Sequence, residues 1–238
     1  MEKERLDKLI ASTGRWSRRE VKTLVREGRV LVDGRIAGSA EEKYDAESCC
    51  IAVNGEELVL RRYTYVMLHK PAGVLSATED GRGRTVLDLL TPELRKIGVF
   101  PVGRLDKDTE GLLLLTDDGE LAHALLSPKK HVDKVYYARV SGRLTPEDCA
   151  AFEAGMTLGD GLECLPAGLE ILAAGETSEC LVTLREGKFH QVKRMLAARG
   201  KPVTYLKRLS MGSLRLDDTL APGEFRLLTA AEEAQLQR

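Results

Sequence analysis

This 238-residue sequence has little of what marks a membrane-bound, secreted or metal-stapled protein. No apolar run approaches the roughly 18 residues that a membrane-spanning helix needs. Met1 to Arg5 is charged and offers neither an apolar core nor a small-residue cleavage site, so no secretory signal is expected. The five cysteines (Cys49, Cys50, Cys149, Cys164 and Cys180) are odd in number and scattered, with no Cys-x-x-Cys pair. That pattern argues against a disulfide framework or a zinc knuckle and points to a reducing cytoplasm. The four histidines, His69, His123, His131 and His190, lack metal-ligand spacing. Neither a Walker A pattern nor Gly-x-Gly-x-x-Gly is present, and internal repeats and low-complexity stretches are missing too.

What the chain does have is segregated charge. The net charge is only −1, with Lys+Arg 36 against Asp+Glu 37. Yet basic residues dominate from Met1 to Ile36, including Arg5, Arg18, Arg19, Lys22 and Arg26, and acids dominate from Glu41 to Glu57. Between Arg185 and Arg208 eight bases face only Glu186. Two separated basic stretches on a neutral chain fit two contact surfaces for a polyanion, with solvated helix faces as the bland alternative.

The first part reads as two short helices followed by hairpins. Leu6, Leu9 and Ile10 give an apolar helical stripe closed by Gly14. Ser17 and Glu20 have the spacing of a capping box for a second helix, which Gly28 stops. In that helix Val21, Leu24 and Val25 face inward, and Arg18, Arg19, Lys22 and Arg26 share the outer side. Val30–Val32 is a strand, and Asp33-Gly34 and Asn54-Gly55 are hairpin turns. The unit is expected over residues 1–60, with a larger domain over 61–238. Arg5-Leu-Asp-Lys8, Ser17-Arg-Arg-Glu20 and Gly28-Arg-Val-Leu-Val-Asp-Gly34 resemble the RNA-binding module named after the fourth small-subunit ribosomal protein. That resemblance implies RNA contacts from Arg5, Arg18, Arg19, Lys22 and Arg26.

The rest alternates strands and helices irregularly. Strands are expected at Tyr63 to His69, Gly111 to Thr116, Lys134 to Val140, Leu169 to Ala173, Cys180 to Leu184, Val203 to Leu206 and Leu214 to Leu216. Helices are expected at Glu120 to Leu126, from Thr145-Pro146, at His190 to Arg199, and at the C-terminus. The class is α+β: a small helix-helix-strand module, then a larger domain with a mixed, largely antiparallel sheet flanked by helices.

The densest chemistry lies in Val102-Gly-Arg-Leu-Asp-Lys-Asp-Thr-Glu-Gly-Leu-Leu-Leu-Leu-Thr116. Acids and glycine ahead of a leucine strand place carboxylates at the mouth of an apolar core. Asp106, Asp108 and Glu110 alternate, so only some can point inward. The bland reading is a polar loop capping a buried strand. A calcium loop is a second reading, since Asp106, Asp108, Glu110, Gly111 and Asp117 match its spacing. It is weakened by Glu110, by Asp117 in place of glutamate, and by leucines where a polar ligand belongs.

A third reading rests on resemblance. Gly103-Arg-Leu-Asp106, Thr109 and Gly111 to Thr116 look like the signature motif of RNA pseudouridine synthases. Leu68-His-Lys-Pro-Ala-Gly73, Lys134-Val-Tyr136 and Glu186-Gly-Lys-Phe-His-Gln-Val-Lys-Arg-Met195 resemble that family's other motifs, in the family's order. His190 to Met195 and Leu220-Ala-Pro-Gly-Glu-Phe225 look like the branch acting on small-subunit ribosomal RNA. The large-subunit branches typically carry other residues where His190 and Gln191 stand.

The resemblance implies an isomerase that needs no cofactor and no metal. Asp106 is then the catalytic carboxylate, as nucleophile at C1′ or as base at C2′, expected to be buried and held ionised by a fixed cation. Lys193 and Arg194 point about 100° apart on a helix, so only one can face Asp106, and the motifs favour Lys193. Tyr136 is expected to stack on the flipped base, Arg104 to fill the space it leaves, and the leucine run to wall the site. Lys70, Lys134, His190, Gln191 and Arg194 are further candidate RNA contacts. The expected partner is ribosomal RNA, with no membrane, and the chain is expected to act as a monomer. The competing functions are a large-subunit enzyme of the same chemistry and a non-catalytic RNA-binding assembly factor.

Overall fold

The computed structural model describes residues 3–236 except 47, 82, 128 and 129. Contacts divide the chain into two units: one runs as far as Thr64 and includes Leu90–Val99, the other holds Tyr65–Leu89 and the chain from Phe100 onward. Among the described residues no helix is long and apolar enough to cross a membrane.

In the first unit, strand β1 (Glu4–Arg5) leads into α1 (Leu6–Ala11), and α2 (Arg18–Arg26) follows. The capping box is formed: Ser17 Oγ accepts from the Glu20 N–H, and the Glu20 carboxylate accepts from the Ser17 N–H. Helix α1 stops at Ala11 rather than running on to Gly14. Ser12 and Thr13 turn their hydroxyls back onto the carbonyls of Leu9 and Ile10, which ends the helix early. Gly14 is needed for a different reason. At φ +73, a Cβ there would lie 2.2 Å from the carbonyl oxygen of Glu93, in α3 (Pro92–Ile97).

Strands β2 (Val30–Val32), β3 (Arg35–Ile36), β5 (Ile51–Val53) and β6 (Glu56–Glu57) form a sheet in the order β3-β2-β5-β6, and β4 (Lys43–Tyr44) pairs with β1. Both hairpin turns adopt positive φ at their two central residues, 50 and 76° at Asp33-Gly34 and 56 and 83° at Asn54-Gly55. That is the primed geometry whose twist suits two-residue hairpins. The inward residues of α1, α2, β2 and β5 make one apolar core, including Leu6, Ile10, Val21, Val30 and Ile51.

The second unit is built on one sheet. Its elements are β7 (Tyr65–Lys70), β8 (Phe100–Pro101), β9 (Glu110–Thr116), α4 (Gly119–Leu126), β10 (Lys134–Ser141), α5 (Pro146–Ala154), β11 (Met156–Thr157), β12 (Glu163–Cys164), β13 (Gly168–Ala173), β14 (Thr177–Leu184), α6 (Gln191–Ala198), β15 (Val203–Met211), β16 (Leu214–Arg215), β17 (Phe225–Leu227) and α7 (Ala230–Leu236). The strand order is β13-β14-β10-β15-β9-β7-β17, with β8 on β9 and β16 on β15, while β11 and β12 pair separately. The sheet is mixed: β15 and β9 run parallel and the other pairings are antiparallel.

Four expected elements shift, among them β14, which starts at Thr177 rather than Cys180. Strand β7 starts at Tyr65, two residues late, and β15 runs on to Met211 because both its neighbours pair with it. His190 is not helical: it caps α6 in a left-handed conformation, φ 48°. Strand β17, short and only partly buried, carries no alternation to reveal it.

The parallel junction depends on Gly111. It has φ +105, and a Cβ there would stand 2.2 Å from the carbonyl oxygen and 2.6 Å from the nitrogen of Arg208. Gly111→Ala therefore has to part β9 from β15 directly behind the Asp106 loop. The expected cost is about 3 kcal/mol or more, a Tm drop of roughly 10 °C in thermal unfolding. An unchanged Tm would show that the two backbones need not touch.

Candidate active site

The candidate site is built within the second unit. The loop between β8 and β9 carries Arg104 to Thr109 and is pinned from behind. Lys70, fully buried at the end of β7, donates from Nζ to the carbonyls of Pro71 (3.0 Å), Asp106 (3.1 Å), Lys107 (3.2 Å) and Thr109 (2.9 Å). Ser76 Oγ donates to the Leu105 carbonyl and accepts from the Leu105 N–H, at 2.9 and 3.1 Å. The Gly73 N–H donates to the Lys107 carbonyl at 2.7 Å. So the Lys70-Pro-Ala-Gly73 turn acts on the Asp106 loop through its backbone, and Lys70 is a brace rather than an RNA contact.

The three alternating acids go three ways. Asp106 faces the cavity, its side chain a quarter exposed rather than buried. Asp108 lies at the rim, 75% exposed. Glu110 turns to Tyr205, whose hydroxyl donates to it at 2.8 Å. Burial and this carboxylate push the Tyr205 phenol up to about 12. A calcium loop is not formed: the extended strand β9 (Glu110–Thr116), about 20 Å long, runs between Asp106 and Asp117. Among the described residues no cluster of three or more His, Cys, Asp or Glu could hold a metal ion.

Helix α6 supplies the cation. Lys193 Nζ lies 3.0 Å from Asp106 Oδ2 and 2.6 Å from Asp108 Oδ1. Burial alone would lower the Lys193 ammonium, but the two carboxylates hold it above its ordinary value. Lys193, in turn, is the main reason that Asp108 is held below the usual carboxylate range. Arg194, one residue on, points away and pairs with Asp160. His190 completes the ring around Asp106, with Nε2 3.5 Å from Oδ1.

Beside Asp106 the cavity is lined by Arg104, Leu105, Tyr136, Leu184, His190, Gln191, Val192 and Leu206, among others. Tyr136 is buried in β10 on the cavity face, while Tyr137 packs edge-on against Tyr205 on the other. The leucine run does not wall the site. Leu112 to Leu115 are fully buried inside the sheet, and the apolar wall comes from Leu105, Leu184, Val192 and Leu206.

Other expected contacts are displaced by burial. Lys134 is buried, donates to the Val132 carbonyl at 3.2 Å, and has its ammonium lowered by desolvation and by nearby Arg208. Gln191 is buried as well, its amide joining Glu186 to the turn before α6 through the Lys188 N–H. Lys134 does not line the cavity, and Gln191 borders it with an amide already held by Glu186 and Lys188. Arg104 and His190 are exposed at the cavity.

In the first unit Arg18, Arg19, Lys22 and Arg26 are all exposed on α2. Arg18 and Arg5 both pair with buried Asp7, each at 3.0 Å, and Lys22 pairs with Glu41. Burial would raise the Asp7 carboxyl, but the two guanidiniums hold it below its ordinary value. Arg5 and Arg18 therefore also support the helix pair.

Sequence reasoning missed Ser76, Leu184, Leu206 and the exposed Phe189. Leu184 and Leu206 follow the period-2 alternation of strands that pair with β10, which is the signal that marks them. Nothing local marks Ser76.

The brace has a pH consequence. Burial pushes the Lys70 amine down to about 8, with Asp108, Asp106 and Glu110 opposing. A neutral amine has one proton fewer for its four carbonyls, so activity is expected to fall as pH rises through about 8. Stability should not fall with it. The folded chain holds this proton less tightly than the unfolded chain, so deprotonation between about 8 and 10.5 favours folding. Parallel rate and melting measurements from pH 7 to 10 check this; a joint decline would assign the loss to unfolding instead.

Residues 64–198 match the model of the RNA pseudouridylate synthase family, and residues 4–48 match the S4 domain. An uncharacterized RNA pseudouridine synthase of Bacillus subtilis is 50% identical over 96% of both chains. Ribosomal small subunit pseudouridine synthase A of Vibrio cholerae is 40% identical over 98% of this chain and 99% of its own. Ribosomal large subunit pseudouridine synthase B of Bacillus subtilis is 39% identical over 98% and 96%. A crystal structure of a pseudouridylate synthase superposes with a TM-score of 0.68 at 35% identity, covering 98% of this chain and 99% of that one.

Proposed function

Because the chain belongs to the RNA pseudouridylate synthase family, we propose that it converts one uridine of small-subunit ribosomal RNA to pseudouridine with Asp106 as the catalytic carboxylate. The observation that carries this role is the setting of Asp106: a cavity-facing carboxylate held by Lys193 at 3.0 Å beside a buried tyrosine. In the reaction the C1′–N1 bond breaks, the uracil turns, C1′–C5 forms, C5 loses its proton and N1 gains one. Nucleophilic attack at C1′ and proton removal at C2′ both require Asp106 ionised, and the Lys193 ammonium favours that form.

Tyr136 offers its ring to the flipped base, on which the uracil can turn in plane. Arg104, exposed at the cavity, fills the gap the base leaves. The apolar wall of Leu105, Leu184, Val192 and Leu206 limits water around the severed sugar. Residues 1–60 anchor the RNA through Arg18, Arg19, Lys22 and Arg26, by phosphate contacts that position without reading sequence. Residues 61–238 carry the chemistry. Both surfaces lie on one chain, which acts as a monomer in the cytoplasm.

The small-subunit target rests on His190, Gln191 and the Leu220–Phe225 segment. A large-subunit target is the second reading, since relatives named for either subunit match at similar identity. Nucleoside analysis of unmodified transcripts of both ribosomal RNAs after incubation separates them. Pseudouridine in the small-subunit transcript alone is expected; pseudouridine in the large-subunit transcript alone would overturn the choice of target.

A further inference from the structure

We infer that Phe189 and His190 form a stacking platform for the base of a nucleotide that flanks the target uridine. The inference rests on the proposed uridine chemistry at Asp106. Phe189 is the side chain before the cap of α6, and it is 74% exposed. One exposed aromatic is ordinary on a protein surface. This one is held: its ring lies face to face on the His190 imidazole, centroids 3.8 Å apart and planes at 21°. That stack covers one face of the phenyl ring and leaves the other open to solvent.

His190 places the pair. Its left-handed backbone, φ 48°, is uncommon for a non-glycine residue, and such strain persists only where the surroundings fix it. The same conformation starts α6, the helix that carries Lys193 to Asp106. The imidazole lines the catalytic cavity, with Nε2 3.5 Å from Asp106 Oδ1. The exposed phenyl ring therefore stands one ring away from a side chain that lines the cavity. Exposed Arg185 and half-buried Lys188 precede Phe189 in the chain, and cations there suit a phosphodiester chain.

The occupant follows from what the reaction demands. A uridine turned into the cavity leaves its neighbours without a stacking partner on one side. An open aromatic face there replaces that lost stacking, and it accepts any base because every base has a π-face. Base–aromatic stacking of this kind is worth about a tenfold change in affinity per base, at the lower end of its range.

The test compares KM and kcat for tritium release from a small-subunit rRNA transcript carrying C5-tritiated uridine, using wild type, Phe189→Ala, Phe189→Leu and Phe189→Trp. Because Phe189 is exposed, all four are expected to fold, which circular dichroism checks. KM is expected to rise about tenfold in the alanine and leucine variants, with kcat much less affected. Tryptophan is expected to restore KM, and its added fluorescence to be quenched when the transcript binds. A wild-type KM in Phe189→Ala would overturn the inference. So would a wild-type KM in Phe189→Leu, because apolar area without a π-face would then suffice. No release by the wild type itself would instead sink the uridine chemistry on which the inference stands.

Discussion

Asp106→Asn is expected to lower single-turnover conversion by a factor of about 10⁴ or more while RNA affinity stays within about twofold. The amide has nearly the shape of the carboxylate, so the loop held by Lys70, Ser76 and Gly73 need not move. What is lost is the charge and the lone pair that either attack C1′ or take the C2′ proton. Affinity should not suffer, because a carboxylate near incoming phosphates repels them and its neutral amide does not. Single-turnover conversion and filter binding on one preparation check both halves. A parallel loss of affinity would give Asp106 a structural role in place of the chemical one.

Lys193→Met is expected to reduce the rate by roughly 10² to 10³ and to move the acid limb of the pH–rate profile upward. Lys193 is shared between Asp106 and Asp108, and without it two carboxylates face one another with no cation between them. Lys193 is what holds Asp108 below the usual carboxylate range, so without it the acidic cluster would take up a proton at higher pH than before. The active, ionised form would then appear only at higher pH. Lys193→Arg keeps the charge and should restore part of the rate with the limb near its original place. A uniform rate loss with an unmoved limb would reduce Lys193 to packing. Arg194→Met is the internal control, since Arg194 pairs with Asp160 instead.

Local signals made the first unit legible. Ser17 and Glu20 specify the start of α2, and Asp33-Gly34 and Asn54-Gly55 specify two hairpins, because each depends on residues a few positions apart. The Asp106 loop was legible as chemistry because acids directly before a leucine strand are unusual. Burial of the cations was not. Lys70 and Lys134 look in sequence like any lysine, and only the packing of β7 and β10 shows them facing inward. The leucine run misled for the same reason: Leu112 to Leu115 are covered because β9 lies inside the sheet, which no local pattern reveals. The sequence places His190 inside the helix expected to Arg199, yet its backbone turns left-handed to start α6. Phe189 carries no local signal, because a lone aromatic acquires meaning only from the ring stacked on it.

Release of tritium from small-subunit ribosomal RNA carrying C5-tritiated uridine, by the wild type and by Asp106→Asn at equal RNA occupancy, tests the account most directly. Pseudouridine formation expels the C5 hydrogen, so the wild type should release one equivalent per RNA molecule and the variant none. Equal release by both proteins would remove Asp106 from the chemistry. Tight binding with no release by either, on ribosomal RNA of both subunits, would contradict the enzymatic account itself.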